Sequence, residues 1–186
     1  MYFKEDVSRE IDSYIELLVR WNKTINLIGK STLSELQKRH VEDSKVLLGQ
    51  IKKGESVIDL GSGSGFPGII LNIYGIRQIT LVDSDIRKIA FLRHVIMKLN
   101  LTANAICCRI EDLSLCSDVL VSRAFASVSS TLQYVSNLKY NRLLLLKGEN
   151  VEEEVMRALK DWTFDYNIEY HAIGTNLLEI MNAKRN

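Results

Sequence analysis

Proline is nearly absent: Pro67 is the only one in 186 residues. No Pro-, Gly- or Ser-rich linker therefore divides the chain, and no low-complexity segment or internal repeat interrupts it. Long apolar runs are missing as well. No 18-residue apolar stretch exists, and the opening MYFKEDVSRE carries charges where a signal peptide places its apolar segment. A soluble, cytoplasmic chain with no membrane association is the expectation. Cysteine is scarce. Cys107, Cys108 and Cys116 are odd in number, contain no CxxC pair and lack the spaced partners of a zinc site, so reduced, mostly buried thiols and no metal are expected. Net charge is also small, at +1, far from that of a basic DNA-binding domain.

What is present suffices for one sizeable core, since 46% of the residues are hydrophobic. From Ser8 to Ile25 the residues Ile11, Tyr14, Ile15, Leu18, Trp21 and Ile25 recur at spacings of three and four, one stripe of an amphipathic helix. Tyr14 and Trp21 lie on that stripe and are expected in the core rather than as base-stacking platforms. A second stripe runs through Leu33, Leu36, His40, Leu47, Leu48 and Ile51. From Ser56 the texture changes to short β-rich runs: SVIDL, RQITLVD, AICC, SDVLVS and NRLLLLK. Helical patterns separate several of them, the clearest being DIRKIAFLRHVIMKLN with Ile86, Ile89, Leu92, Ile96 and Leu99 facing the core. This alternation predicts an α/β fold with a mostly parallel sheet between helices. IEYHAIG and NLLEIMNA are expected to complete the sheet as an antiparallel pair. Residues 1–53 then form an N-terminal helical cap on a compact sheet unit spanning 54–186.

The stretch VIDLGSGSGFPGI follows the first strand. In an open α/β sheet, ligands bind beyond the carboxyl ends of the strands, so this turn is the first place to look. Gly61, Gly63 and Gly65 permit positive φ and keep Cβ atoms off a bound ligand. Pro67 stands where a first helical position would be, and the amides of that helix start are expected to face the ligand. Such a turn can hold a pyrophosphate, a carboxylate or a ribose. No GxxxxGK is present, which excludes the nucleoside-triphosphate loop. A GxGxxG can be matched at Gly63, Gly65 and Gly68, with Asp83 twenty residues beyond Gly63, as an NAD site would want. Read from the strand, the pattern is instead an acid, an apolar residue and GxGxG, starting at Asp59. That acid suits the ammonium of a methionine moiety, and Asp83 suits two ribose hydroxyls. Together these features favour S-adenosylmethionine.

Seven segments, WNKTINL (21–27), RHVEDS (39–44), DLGSGSGFPGI (59–69), TLVDSDIRKIAFLR (80–93), CRIED (108–112), SRAFAS (122–127) and LLKG (145–148), resemble the RsmG (GidB) family, in family order and over most of the chain. The resemblance implies a class I S-adenosylmethionine-dependent methyltransferase, Rossmann-like with a seven-stranded sheet. The implied reaction is methylation of N7 of a guanosine in bacterial small-subunit (16S) ribosomal RNA, either free or in a ribosomal particle. Cofactor contacts carry over to Gly61, Phe66, Ile110, Glu111 and Arg123, with Asp83 as the ribose-binding acid. Ser64 and Phe66 depart slightly from the family pattern, where Ala or Pro and Leu are common. Asn26, Arg39, His40 and Lys147 are the expected substrate contacts.

Guanine N7 has an available lone pair and needs no general base. The sequence agrees, having neither an NPPY-type motif nor a Pro-Cys nucleophile. Arg123, after the strand SDVLVS, is the expected catalytic side chain, holding the methionine carboxylate, a phosphate or guanine O6. Residues 20–53 hold eight Lys or Arg against three acids, and Lys38, Arg39, Lys45, Lys52 and Lys53 are candidates for RNA phosphates. A monomer is expected. An NAD-dependent oxidoreductase, a non-catalytic RNA-binding or assembly factor and a small-molecule methyltransferase stand as the competing readings.

Overall fold

The computed structural model describes residues 6–29, 40–171 and 174–186. Its centre is a seven-stranded sheet made of β1 (Val57–Leu60), β2 (Ile79–Asp83), β3 (Asn104–Cys107), β4 (Val119–Arg123), β5 (Arg142–Lys147), β6 (Trp162–Glu169) and β7 (Asn176–Arg185). The spatial order is β3-β2-β1-β4-β5-β7-β6. The first five strands are parallel, whereas β7 runs antiparallel to both β5 and β6. The chain therefore leaves β1 toward β2 and β3, then returns past β1 to start β4. That reversal makes the carboxyl ends of β1 and β4 neighbours, the switch point where such sheets open a cleft.

Two apolar layers enclose the sheet, which is why strands such as LLLL (143–146) are continuously apolar. One layer joins Val57, Leu81 and Val121 to α3 (Gly68–Ile73), α4 (Ile86–Lys98) and α1 (Ser8–Asn22). The other joins Ile58, Leu60 and Leu120 to α5 (Val128–Tyr134) and α6 (Val151–Ala158). The α1 stripe emerges as predicted, with Ile11, Tyr14 and Leu18 buried. Trp21 packs on Phe91 and His94 of α4. Val7, Ile11, Tyr14 and Leu18 share one apolar cluster with Ile69, Ile70 and Leu92, so α1 belongs to the sheet's own core.

Four local expectations are corrected. The second stripe is no continuous helix: α2 (Glu42–Lys45) is short, and the following turns are closed by i→i−3 bonds as far as Gln50. Leu33 and Leu36 lie outside the described residues. On α4, Ile86 is exposed, because it stands in the first turn beyond the sheet, and the buried set is Ile89, Phe91, Leu92 and Val95. The first strand of the terminal pair, expected to start at Ile168, instead runs from Trp162 to Glu169, and Tyr170 is exposed. The cysteines are not mostly buried: Cys116 is exposed and the other two are half-buried.

Candidate active site

At the end of β1 the chain turns through Gly61, Gly63 and Gly65, all at positive φ (65°, 55° and 104°). Ser62 stitches this turn to the sheet: its hydroxyl donates to Asp59 O and accepts from Val82 N, each at 2.9 Å. The amide of Gly63 donates to Asp83 Oδ2 at 2.9 Å, and Asp83 Oδ1 accepts from Asp85 N at 2.8 Å. Asp83 thus spans the β1 and β2 ends. Capping of α4 falls to Asp85, which accepts from Arg87 N. Each Asp83 oxygen holds one amide and so keeps acceptor capacity. A cleft of about 360 Å³ opens here, lined by Gly61, Asp83, Ile110, Glu111 and Phe125.

Asp59 lies elsewhere. It is fully buried, because β1 is covered on both faces and strand alternation sends its side chain under α3. There Oδ2 accepts from Gly68 N at 3.0 Å, so the first amide of α3 serves the protein rather than the cleft. Burial pushes the Asp59 carboxyl up to about 7, the Gly68 amide partly opposing it. Beside it, Tyr14 donates to Ser64 O at 2.7 Å, and burial, then the Asp59 charge, raises its phenol well above the usual range. Neither Gly65 nor Gly68 faces open space. A Cβ at Gly68 would stand 2.2 Å from Leu81 Cδ2, and one at Gly65 would stand 2.7 Å from Ile69 Cγ1. Packing at Gly68 is what a third glycine of GxGxxG would also show, but Gly65, where a pyrophosphate would approach the backbone, is closed by Ile69 and Leu92, which weighs against the oxidoreductase reading.

The opposite wall is built from β4 and β5. Arg123 Nε and Nη2 donate to Asp43 Oδ2 at 3.2 and 2.8 Å, and Asp43 is fully buried. The N-terminal segment therefore reaches the site through this ion pair, a role for Asp43 that the sequence reading missed. Ala124 follows at φ 51°, and Phe125 turns its ring onto Gly61, where a Cβ would stand 2.3 Å from Phe125 Cδ2. Glycine is required at 61 by that approach as well as by its φ. Lys147 donates to Ala126 O and to Glu154 Oε2, the latter at 2.8 Å. Glu154 Oε2 also accepts from Val128 N at 2.9 Å, tying α6 to the start of α5. A second cavity, of about 530 Å³, lies on this side, lined by Arg123, Phe125, Lys147, Gly148, Glu154 and Thr175 among others.

Other expected contacts fall outside both cavities. Phe66 is buried, edge-on to Tyr14 and stacked on His40 at 5.2 Å, so neither ring lines the cleft. Asn26 is exposed beyond α1, and the neighbouring turn is held by Asn22, whose Oδ1 accepts from Leu27 N and Ile28 N. Arg39 and Lys38 lie outside the described residues. Among the described residues, the lysines of the basic run do not share one surface beside the site. Lys45 follows the Asp43 that reaches Arg123 and pairs with Glu42, whereas Lys52 and Lys53 line a cavity with Gly75 and Arg77 at the amino ends of β1 and β2.

A family model described as "rRNA small subunit methyltransferase G" (GidB) matches residues 7–179. The chain belongs to this family. The Ribosomal RNA small subunit methyltransferase G of Rickettsia prowazekii (strain Madrid E) is 35% identical over 189 residues, covering 100% of this chain and 99% of the relative. That of Orientia tsutsugamushi (strain Ikeda) is 38% identical over 169 residues, covering 88% and 85%. Among solved structures, the 16S rRNA methyltransferase RmtF in complex with S-adenosyl-L-homocysteine has a TM-score of 0.63 at 12% identity, covering 94% of this chain and 76% of its own. TrmK of M. capricolum, in complex with the same cofactor product, has a TM-score of 0.55 at 15% identity, covering 74% and 66%. These likenesses show the fold, that of class I methyltransferases, and the cleft between β1 and β4 is where the family's chemistry is sought.

Proposed function

We propose that this protein transfers a methyl group from S-adenosylmethionine to N7 of a guanosine in 16S ribosomal RNA, acting as a cytoplasmic monomer. The carrying observation is Asp83, placed at the cleft with both oxygens already oriented by backbone amides. Those oxygens keep acceptor sites suited to two ribose hydroxyls. Ile110 offers an apolar wall for a purine and Glu111 an exposed acceptor beside it. The cofactor supplies an electrophilic methyl: the N7 lone pair forms the new C–N bond, the C–S bond breaks with its pair going to sulfur, and the positive charge passes to the base. Because N7 carries no proton, the residues around the cleft need to position rather than deprotonate. Arg123, fixed by Asp43, serves as a positioning cation in the wall of the second cavity, one residue before the segment common to both. Residues 1–53 serve as a cap on the 54–186 sheet unit, through the Tyr14–Ser64 and Asp43–Arg123 contacts.

The test is methylation of undermethylated small ribosomal subunits with labelled S-adenosylmethionine, followed by digestion and mass spectrometry. Formation of 7-methylguanosine, lost in Asp83→Ala, is the expected result. Unlabelled RNA from a protein that still binds the cofactor would overturn the reading in favour of an assembly factor.

A further inference from the structure

The second cavity adjoins the cofactor cleft, since Ala124, Phe125 and Ala126 line both. We propose that this cavity takes the acceptor guanine, and that the Lys147–Glu154 pair reads the base by its Watson–Crick edge; the proposal rests on the function proposed above. About 530 Å³ is within the range of small-molecule pockets and ample for one nucleotide base turned out of its stack.

The pair supplies a donor beside an acceptor. Lys147 Nζ has three hydrogens, of which Ala126 O and Glu154 Oε2 take two. Glu154 Oε2 accepts from Lys147 and from Val128 N, and Oε1 takes no part in these bonds. One ammonium hydrogen and one carboxylate oxygen therefore remain to face a base. Both side chains are mostly buried, 10% and 25% exposed, and each is held in place by backbone partners. Guanine presents O6, an acceptor, next to the donors N1–H and N2–H₂. Adenine presents the reverse order, a donor at N6 and an acceptor at N1, and would set like against like. N7 lies on the far side of O6 from N1, so a guanine held by that edge leaves its N7 free to meet the adjoining cleft. Phe125, common to both cavities, supplies an aromatic face for the ring.

Two variants test the assignment. Gly148 lines this cavity but not the cofactor cleft, its φ is ordinary, and a Cβ there meets nothing within 4 Å. Gly148→Phe should lower kcat/KM for small-subunit RNA at least 100-fold while binding of S-adenosylmethionine, followed by calorimetry, changes less than about threefold. Glu154→Gln keeps an acceptor for Val128 N and Lys147 but loses the charge and sets a donor beside N1–H. It should lower kcat/KM at least tenfold with cofactor affinity unchanged, at a temperature where the variant is fully folded. Wild-type kcat/KM in Gly148→Phe would overturn the cavity assignment, and wild-type kcat/KM in Glu154→Gln would overturn the reading by the pair. Either failure requires a wild-type protein that methylates. A wild type that binds the cofactor without methylating would instead sink the proposed function itself.

Discussion

The two walls of the cleft are built on opposite principles. On the β1–β2 side the polar groups are consumed internally: Gly63 N by Asp83, Gly68 N by Asp59, and Ser64 O by Tyr14. On the β4–β5 side the charged groups occur as crosslinked pairs, Arg123 with Asp43 and Lys147 with Glu154, bordering open volume. At Gly65 and Gly68 the first wall is packed so that added atoms collide, whereas at Gly148 the second borders space in which they do not. Shape is fixed on one side and charge is displayed on the other.

The sharpest way to break this contrast is to add one methyl group on each side. Gly68→Ala would put a Cβ 2.2 Å from Leu81 Cδ2 and 2.5 Å from Asp59 Oδ2, whereas Gly148→Ala meets nothing within 4 Å. Urea denaturation should show a loss of about 4 kcal/mol for the first and less than about 0.5 kcal/mol for the second. Comparable values would mean that the walls do not differ in packing.

A close second concerns the buried acid. Asp59 keeps its proton in the folded state to about pH 7, whereas an aspartate in the unfolded chain loses it near 3.8. Its contribution to stability is therefore complete below about pH 4 and is lost as the pH rises to about 7. At 1.36 kcal/mol per pH unit, up to about 4 kcal/mol is involved. Asp59→Asn should flatten that decline in denaturation series taken across the window, and a parallel slope in both proteins would refute it.

Asp43→Ala tests the other wall. Removing the buried partner leaves the Arg123 charge largely uncompensated, with a loss of about 3 kcal/mol expected, and Arg123→Met in the same background should restore part of it. Independent, additive effects in the double-mutant cycle would show that the pair is not coupled. The smallest effect is Tyr14→Phe. It deletes the bond to Ser64 O without changing shape and should cost about 1 kcal/mol by thermal melting.

Much of this architecture is legible in the sequence. The inner parallel strands β1, β2, β4 and β5 stand out because both faces are largely buried, so each is a short, mostly apolar run. The same property concealed the direction of Asp59. With no polar face to mark the register, nothing local says whether an acid at the end of such a strand meets the cleft or the helix packed above it. The edge strand β6 was misplaced for the opposite reason. Its exposed Thr163, Asp165, Tyr166 and Asn167 leave few apolar residues to mark it, and a register shift between Thr163 and Asp165 breaks the alternation. Asp83 lies at the cleft end of β2, against the β1 turn, a position readable from the strand pattern alone. Asp43, Phe125 and Glu154 went unnoticed: their roles come from contacts 80, 64 and 26 residues away in sequence, which periodicity cannot reveal.

The turn after β1 has one further consequence. In it, Ser62 N, Gly63 N, Gly65 N and Gly68 N, and the carbonyls of Ser62 and Ser64, already have partners within the protein. The entropy lost in ordering it is charged to folding, not to ligand association. A molecule settling on this turn meets a pre-organised surface, and its affinity is not diminished by freezing the loop beneath it.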